Sequence, residues 1–222
     1  METLLSIDWD NIVKGIDENG FCLISKALTQ DQCAIIRDLS GDQELFERTM
    51  NVGAPNPHSD NYRYFGEIEP TIISHLRFDM YNALRPSANQ LTASLHQHYQ
   101  YPEHLEDFQV ACAQKKKRTP SSFLAHRTEG NESTFHTGQY GETSFPYQCS
   151  ILLNEEFTGG SLEIQTKREA RSLDTGLYTA GDAVIFAGKY FNPTQPTEIQ
   201  HRITDITQGT RKTLGILMHN RR

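Results

Sequence analysis

The spacing of hydrophobic positions differs between the two halves of the chain. In the first half these positions recur every three or four residues, which is typical of amphipathic helices. Thr29 followed by Gln32 predicts a capping box at one helix start. Pro86 predicts the end of another helix, because proline interrupts a helix interior. The helices are predicted to start near Thr29, Pro70, Ala88 and Pro102.

After Pro120 the pattern changes to short segments rich in β-branched and aromatic residues, separated by turns that contain glycine and proline. Six or more short strands of this kind are typical of a sandwich or jelly roll. We therefore predict a mainly β fold with α, a double-stranded β-helix (jelly roll) core braced by N-terminal helices. We interpret 1–222 as a single domain, with a helical layer over 1–119 and the jelly-roll core over 120–222. The predicted strands are SSFLAHR, YQCSILLN, SLEIQ, DAVIFAG, IQHRITDI and RKTLGILMH.

Composition and charge limit the partners and the cellular compartment expected for such a domain. The 222 residues carry 21 basic and 28 acidic side chains, a net charge of -7, which disfavours a nucleic acid polymer as partner. The basic run over 115–118 is interpreted as the C-terminal end of a helix. No stretch reaches the ~20 apolar residues that span a bilayer, so no membrane partner is expected. Four cysteines without a CxxC pair or a secretory leader predict reduced thiols and a cytoplasmic protein.

Two of the nine histidines are candidates for metal ligation. His136 and His201 each stand at the edge of a predicted strand in the β half, whereas the histidines of the helical half lie among polar neighbours. Neutral imidazole is a suitable ligand for Fe(II), and two histidines with one carboxylate and open positions are typical of non-haem iron oxygenases. We therefore interpret His136 and His201 as metal ligands.

From Ser121 to Arg222 the sequence resembles the Fe(II)/2-oxoglutarate-dependent oxygenases of the compact prolyl-hydroxylase-like type, and more weakly so through NYRYFGE and LRFDMYNALRPSAN. The resemblance implies that a His-x-Asp motif and a distal histidine hold iron. It also implies that an arginine ten residues beyond the distal histidine, here Arg211, binds 2-oxoglutarate together with Thr213. Five segments in the family's order carry the resemblance: FLAHR, FHTGQYGETSFPYQCSILLN, FTGGSLEI, GDAVIF and HRITDITQGTRKTLGILMH.

The sequence departs from that family at the second ligand, where Gly138 replaces the expected aspartate. Residues i and i+2 of a strand point to the same face, so position 138 lies where a carboxylate would reach the metal beside His136. Glycine leaves that place empty and removes one negative charge, and a chloride ion fits both the space and the charge. The same replacement resembles the non-haem iron halogenases. The implied cofactors are Fe(II), 2-oxoglutarate, O2 and chloride, with Gly138 forming the chloride site next to the catalytic His136 and His201.

The resemblance implies a halogenase that chlorinates an unactivated aliphatic C–H of a small molecule, such as a free amino acid or a nucleotide. An iron(IV)-oxo unit would abstract hydrogen and chloride would return to carbon, with succinate and CO2 as co-products. Arg77, Arg127 and Gln139 are candidate substrate-binding residues, because arginine binds carboxylate or phosphate through paired hydrogen bonds. Arg127 also stands where the family usually has a tyrosine. An acyl group on a carrier protein is a further option that no residue indicates.

Two other functions remain open from the residues alone. The first is a 2-oxoglutarate-dependent hydroxylase in which Glu142 or Glu163 serves as an unusual third ligand, although the alternation around Glu163 points its side chain away from the core. The second is a non-catalytic jelly-roll relative with ordinary core histidines. The presence of both Arg211 and Thr213 argues against the second, because a buried guanidinium without a ligand is costly.

Overall fold

The computed structural model describes residues 7–52, 60–66, 68–114, 122–130, 133–138, 144–166, 170–173 and 178–218. The helices are α1 (Trp9–Asn19), α2 (Gln30–Asp38), α3 (Thr71–Ser94) and α4 (Leu105–Gln114), with short 3-10 turns at Leu39–Gly41 and Gln43–Leu45. The strands are β1 (Phe21–Ile24), β2 (Phe46–Val52), β3 (Asp60–Phe65), β4 (Ser122–Thr128), β5 (Tyr147–Leu152), β6 (Phe157–Gly159), β7 (Leu162–Thr166), β8 (Ala170–Leu173), β9 (Ala183–Ala187), β10 (Tyr190–Phe191), β11 (Thr197–Ile203) and β12 (Ile206–Ile216).

The strands form two antiparallel sheets of unequal size. The larger sheet has the order β1-β9-β5-β12-β4-β3-β2, with β6 paired to β12, and the smaller one has the order β10-β11-β7-β8. Each of the six predicted strand segments overlaps one of these strands. The prediction of a mainly β jelly-roll core with helices is therefore confirmed.

Side-chain alternation separates the two faces of the larger sheet. Arg127 on β4 and Arg211 and Thr213 on β12 line a cavity, whereas the intervening Leu124 and Leu214 belong to the buried apolar core. Helix α3 contributes to that same core, and its Ser87 hydroxyl lies 2.7 Å from the Tyr147 hydroxyl of β5. Because successive residues of a strand point to opposite faces, the same strands serve the core with one face and the cavity with the other.

The prediction that one helix ends near Pro86 and another begins at Ala88 is wrong, since α3 runs without a break from Thr71 to Ser94. Pro86 is exposed, so its missing N–H and its ring lie on the solvent side of the helix. Leu84 and Ala88, on either side of it, are fully buried. Burial of one continuous apolar face therefore outweighs the cost of a proline in the helix interior.

The N-terminal half supplies three strands that the helical pattern did not predict. Strand β1 pairs with β9, and β2 and β3 form a hairpin that pairs with β4, so all three extend the larger sheet. Strands β2 and β3 carry polar and charged residues at many positions, which hides the period of two. The alternating Tyr62 and Tyr64 of β3 are the sequence signal for a strand in this region.

Other expectations about the N-terminal half can be compared directly with the structure. The capping box is confirmed, because the Thr29 hydroxyl accepts from the Gln32 backbone N–H while the Gln32 side chain accepts from the Thr29 N–H. All four cysteines are free thiols. The basic run over 115–118 lies outside the described residues. No helix in the described part of the chain has the length and apolar composition needed to span a membrane.

Replacing Pro86 with alanine is expected to raise the free energy of unfolding by about 1 to 3 kcal/mol, because the helix regains a hydrogen bond that proline cannot donate. Urea denaturation followed by circular dichroism measures the change. Asn82→Ala, at another exposed position of α3, is the matched control and is expected to change stability by less than about 0.7 kcal/mol. Equal stabilities of the two variants would contradict a continuous helix at Pro86.

Candidate active site

The two sheets enclose a cavity of about 240 Å³. Three groups of side chains line it: a histidine pair beside Gly138, an arginine pair beside Thr213, and an aromatic wall formed by Tyr62, Tyr64 and Phe123. No aspartate or glutamate is present among the described lining residues. The cavity therefore combines nitrogen ligands with cationic side chains, which suits a metal and anionic ligands together.

Backbone pairing brings His136 and His201 together. The N–H of His136 donates to the carbonyl of His201 at 3.1 Å, and the N–H of His201 donates to the carbonyl of His136 at 3.0 Å. This reciprocal pair places the centroids of the two imidazole rings 4.4 Å apart. The N–H of Gly138 donates to the carbonyl of Gly188 at 2.7 Å, which holds Gly138 against the loop after β9.

The surroundings of His201 favour the neutral state that a metal ligand requires. Burial lowers the pKa of His201 to about 3, and the adjacent His136 acts in the same direction. The Nδ1 of His136 lies 2.8 Å from the carbonyl oxygen of Thr134. A carbonyl accepts only from a protonated nitrogen, so Nε2 of His136 carries the lone pair. The buried Nδ1 of His201 has no hydrogen-bond partner in the described structure.

At Gly138, where the second ligand of the predicted motif would stand, the side chain of Gln148 fills the space. A Cβ built on Gly138 would lie 2.7 Å from Cδ and 2.9 Å from Oε1 of Gln148, and closer still to its Nε2. Gln148 lies on β5, is 8% exposed and lines the cavity. Sequence reasoning missed this residue because a single glutamine in a buried strand has no distinctive pattern. Its proximity to Gly138 depends on how two distant segments pack.

Arg127 and Arg211 form a buried cationic pair. They are register partners across β4 and β12, and they are 6% and 2% exposed. Burial lowers the pKa of Arg211 from its ordinary value, and Arg127 acts in the same direction. Nε and Nη2 of Arg211 have no hydrogen-bond partner among the described residues. Thr213, two residues along the same strand, places its side chain on the same face, so an anion bound here would meet a guanidinium and a hydroxyl.

These residues fit the implied metal and cosubstrate in part. Two neutral imidazoles supply two nitrogen ligands, and the buried guanidinium of Arg211 with unused donors suits a carboxylate. The described residues contain no group of three or more His, Cys, Asp or Glu side chains arranged to hold a metal ion. A third ligand in this part of the chain therefore comes from another residue type, a bound molecule or a bound ion.

Of the two glutamates considered as a third metal ligand, only Glu163 lies among the described residues. Glu163 pairs with Arg202 at 2.7 Å on the face of the smaller sheet opposite to His201, so the suggestion that Glu163 is the third ligand is wrong. His201 instead has Ile164 as its register partner. Glu142 lies outside the described residues, as does the predicted substrate residue Gln139.

The predicted substrate residues Arg77 and Arg127 lie in different environments. Arg127 lines the cavity, whereas Arg77 does not. The Arg77 guanidinium forms a buried ion pair with Glu69, and its Nη1 lies 3.3 Å from the Ser122 hydroxyl. The Ser122 hydroxyl in turn donates to Glu69 at 2.9 Å. This closed arrangement ties α3 to the start of β4, so the placement of Arg77 indicates a structural contact and gives no support to a substrate role.

The comparisons with known proteins agree with this architecture. A family model named Oxygenase-NA, described as an oxygenase catalysing oxidative methylation of damaged DNA, matches residues 60–221. An uncharacterized protein of Mycobacterium tuberculosis (strain H37Rv) is 24% identical over 163 residues, covering 67% of this chain and 68% of the relative. Residues 60–221 include β3 to β12 and therefore all of the cavity-lining residues named above.

Solved structures extend the similarity of fold to nearly the whole chain. A prolyl-4-hydroxylase of Pseudomonas putida is similar with a TM-score of 0.59 at 14% identity, covering 96% of this chain and 100% of the other. A prolyl hydroxylase of Trichoplax adhaerens, in complex with a hypoxia inducible factor peptide, gives a TM-score of 0.60 at 12% identity over 96% and 89%. At such identities the similarity concerns the fold.

Replacing Arg77 with alanine is expected to lower the free energy of unfolding by about 3 to 5 kcal/mol, because Glu69 would remain buried without its partner. The double variant Arg77→Met with Glu69→Gln removes both charges and is expected to recover most of that loss. Urea denaturation measures both. A stable Arg77→Ala protein with weakened substrate binding would instead support the substrate role predicted from the sequence.

Proposed function

The chain belongs to the Oxygenase-NA family, and from this membership we propose that it is an Fe(II)/2-oxoglutarate-dependent oxygenase whose iron is held by His136 and His201. The observation that carries the proposal is the position of Arg211, a buried guanidinium with unused donors in the same cavity as the histidine pair. A chain without an anionic cosubstrate gains nothing from such a group, since burying an uncompensated charge costs several kcal/mol.

Each side chain has a distinct part in this proposal. Iron and 2-oxoglutarate, when bound, supply the activation of O2 that protein side chains lack. His136 and His201 offer the metal neutral nitrogen ligands, and the Thr134 carbonyl holds the His136 ring in the required tautomer. Arg211 and Thr213 hold the far carboxylate of 2-oxoglutarate. The aromatic wall of Tyr62, Tyr64 and Phe123 excludes water from the side of the cavity where a C–H group is accommodated.

We further propose that chloride takes the third protein position and that the reaction is chlorination of an aliphatic carbon. Charge supports this: a divalent metal and a doubly ionised 2-oxoglutarate cancel each other, and the guanidinium of Arg211, whose Nε and Nη2 have no partner among the described residues, adds one positive charge to the cavity. A carboxylate from position 138 would offset part of that charge, and Gly138 supplies none. A small anion bound to the metal restores the balance without requiring a side chain.

For the substrate we propose a small molecule with an anionic or polar group, such as an amino acid or a nucleotide, held in part by Arg127. The net charge of -7 and the cavity volume of about 240 Å³ support a small partner over a polymer or a carrier protein. The free cysteines support a reducing compartment such as the cytoplasm.

A hydroxylase that acts on a modified nucleobase is a second candidate. The description of the family names damaged DNA, and three aromatic side chains on one wall of the cavity are suited to stacking against a base that has left its duplex. Incubation with free amino acids, nucleotides and methylated single-stranded oligonucleotides, each scored by succinate release, separates the two. Succinate release stimulated by oligonucleotides alone would favour the second candidate.

Replacing Arg211 with alanine is expected to weaken 2-oxoglutarate binding roughly 10- to 100-fold, the value of hydrogen bonds between charged partners. Anaerobic titration of the Fe(II) protein with 2-oxoglutarate, followed by visible absorption, measures the affinity. Arg202→Ala, whose side chain pairs with Glu163 outside the cavity, is the matched control and is expected to keep it. Equal affinities of the two variants would contradict the assigned role.

Replacing Gly138 with aspartate is expected to abolish chlorination, because the carboxylate would occupy the chloride position. Gly138 does not have a left-handed backbone conformation, and the atoms in the way belong to the flexible end of Gln148, so the fold is expected to accept the change. Products formed in chloride-containing and chloride-free buffer are measured by mass spectrometry. Gly138→Ala, which adds a methyl group without a ligand, is the control. Continued chlorination by Gly138→Asp would contradict the chloride site.

A further inference from the structure

We propose that the side-chain amide of Gln148, which lies against Gly138, donates to a small monovalent anion that takes the place of the absent carboxylate ligand. This inference rests on the proposed function, in which that anion is a halide bound to the metal. Gln148 would thus be a specificity-determining residue: the chain would have replaced a carboxylate ligand with an exchangeable anion and a fixed hydrogen-bond donor.

The position of Gln148 is set by the strands around the histidine pair. Gln148 on β5 is the register partner of Phe186 on β9. The Phe186 ring in turn packs edge-on against the His201 ring, with centroids 4.8 Å apart. On the other side, the hydrogen bond from Gly138 to Gly188 holds the backbone beside which the amide lies. The strand that carries the amide is therefore held beside the histidine pair by the sheet.

The hydrogen-bonding state of this amide points to a missing acceptor. Gln148 is 92% buried, since 8% of its surface is exposed, and its Nε2 has no hydrogen-bond partner among the described residues. A buried amide donor without a partner is costly, and such groups in native proteins are normally satisfied by protein, water or ligand. The unused donor lies directly against Gly138, so an acceptor bound next to it, within hydrogen-bond distance of Nε2, satisfies it.

Charge decides which kind of acceptor is favoured. Arg211 contributes a positive charge with unused donors, and no carboxylate is found among the described lining residues. A neutral acceptor would satisfy the amide but leave this charge uncompensated. An anion does both.

The amide of Gln148 also has an oxygen, which offers a rival arrangement with direct metal ligation. A neutral amide oxygen would fill the third position but would leave the positive charge of Arg211 unchanged. The charge therefore favours the donor role. The two roles differ in a measurable way, because a ligand contributes to metal affinity in the absence of halide whereas an anion donor does not.

Cobalt(II) is the probe for the experiment, because its visible spectrum reports changes of ligand and it needs no oxygen-free handling. The full-length protein with Co(II) and 2-oxoglutarate is titrated with sodium chloride and sodium bromide in halide-free sulfate buffer. We expect a saturable spectral change in the unaltered protein. Gln148→Leu is expected to weaken halide binding roughly tenfold or more while leaving the Co(II) affinity in sulfate buffer unchanged.

A second variant and a control protect the result against misfolding. Gln148→Glu places a carboxylate of the same length at the site, and we expect it to tighten Co(II) binding and to remove the halide response. Gln165→Leu makes the same substitution at a glutamine of β7 that does not line the cavity, and it is expected to behave as the unaltered protein. Thermal melting confirms that each variant is folded.

Three outcomes would overturn the inference: equal halide affinity in Gln148→Leu and the unaltered protein, a loss of Co(II) affinity in sulfate buffer on that substitution, or no halide response in the unaltered protein. The last outcome would also contradict the proposed chloride site. Succinate release tests the oxygenase activity independently of halide binding. A halide response that depends on Gln148, together with a purely hydroxylated product, would keep the inference and reject chlorination.

Discussion

Two arginines buried side by side impose the main physical constraint on this fold. Arg127 and Arg211 face each other across β4 and β12 in the interior of the jelly roll, where a charge costs several kcal/mol unless it is compensated. The described lining residues supply no carboxylate for that purpose. For Arg211, whose Nε and Nη2 have no hydrogen-bond partner among the described residues, a bound anion would supply this compensation, and the histidine pair in the same cavity offers nitrogen ligands for a metal that would anchor the anion.

Charge also explains the importance of Gly138, the position at which this chain departs from the oxygenase pattern. The chain shares the fold of 2-oxoglutarate oxygenases along nearly its whole length and belongs to an oxygenase family, yet it has glycine where its resemblance to that family predicts a carboxylate. The space is not simply empty, because the Gln148 amide lies in it. Where the family has a negatively charged carboxylate ligand, this chain has the neutral Gln148 amide, which carries hydrogen-bond donors. The exchange has little effect on the shape of the site but changes the ligands that it can bind.

The sequence predicted the parts of the site whose position follows from local rules. The two-residue period of a strand places Arg211 and Thr213 on one face, and the same rule directs Glu163 away from the cavity, where it pairs with Arg202. Features that depend on packing between distant segments could not be predicted in this way. Gln148 is one, and the extension of the larger sheet by β1, β2 and β3 is another. The continuity of α3 through Pro86 shows the same limit, because burial of the whole helix overrides a local rule.

The backbone bridge between His136 and His201 has a mechanical consequence. Hydrogen bonds from Ser133 and His136 tie the segment 133–138 to β11, and the two candidate ligands occupy facing positions on that segment and on β11. A metal ion shared by them would act as a cross-link that closes a long loop of the chain, and closing such a loop restricts the unfolded chain more than the folded one. Iron would thus stabilise the jelly roll as well as take part in its chemistry. Loss of the metal would release the edge of the sheet that carries the two ligands.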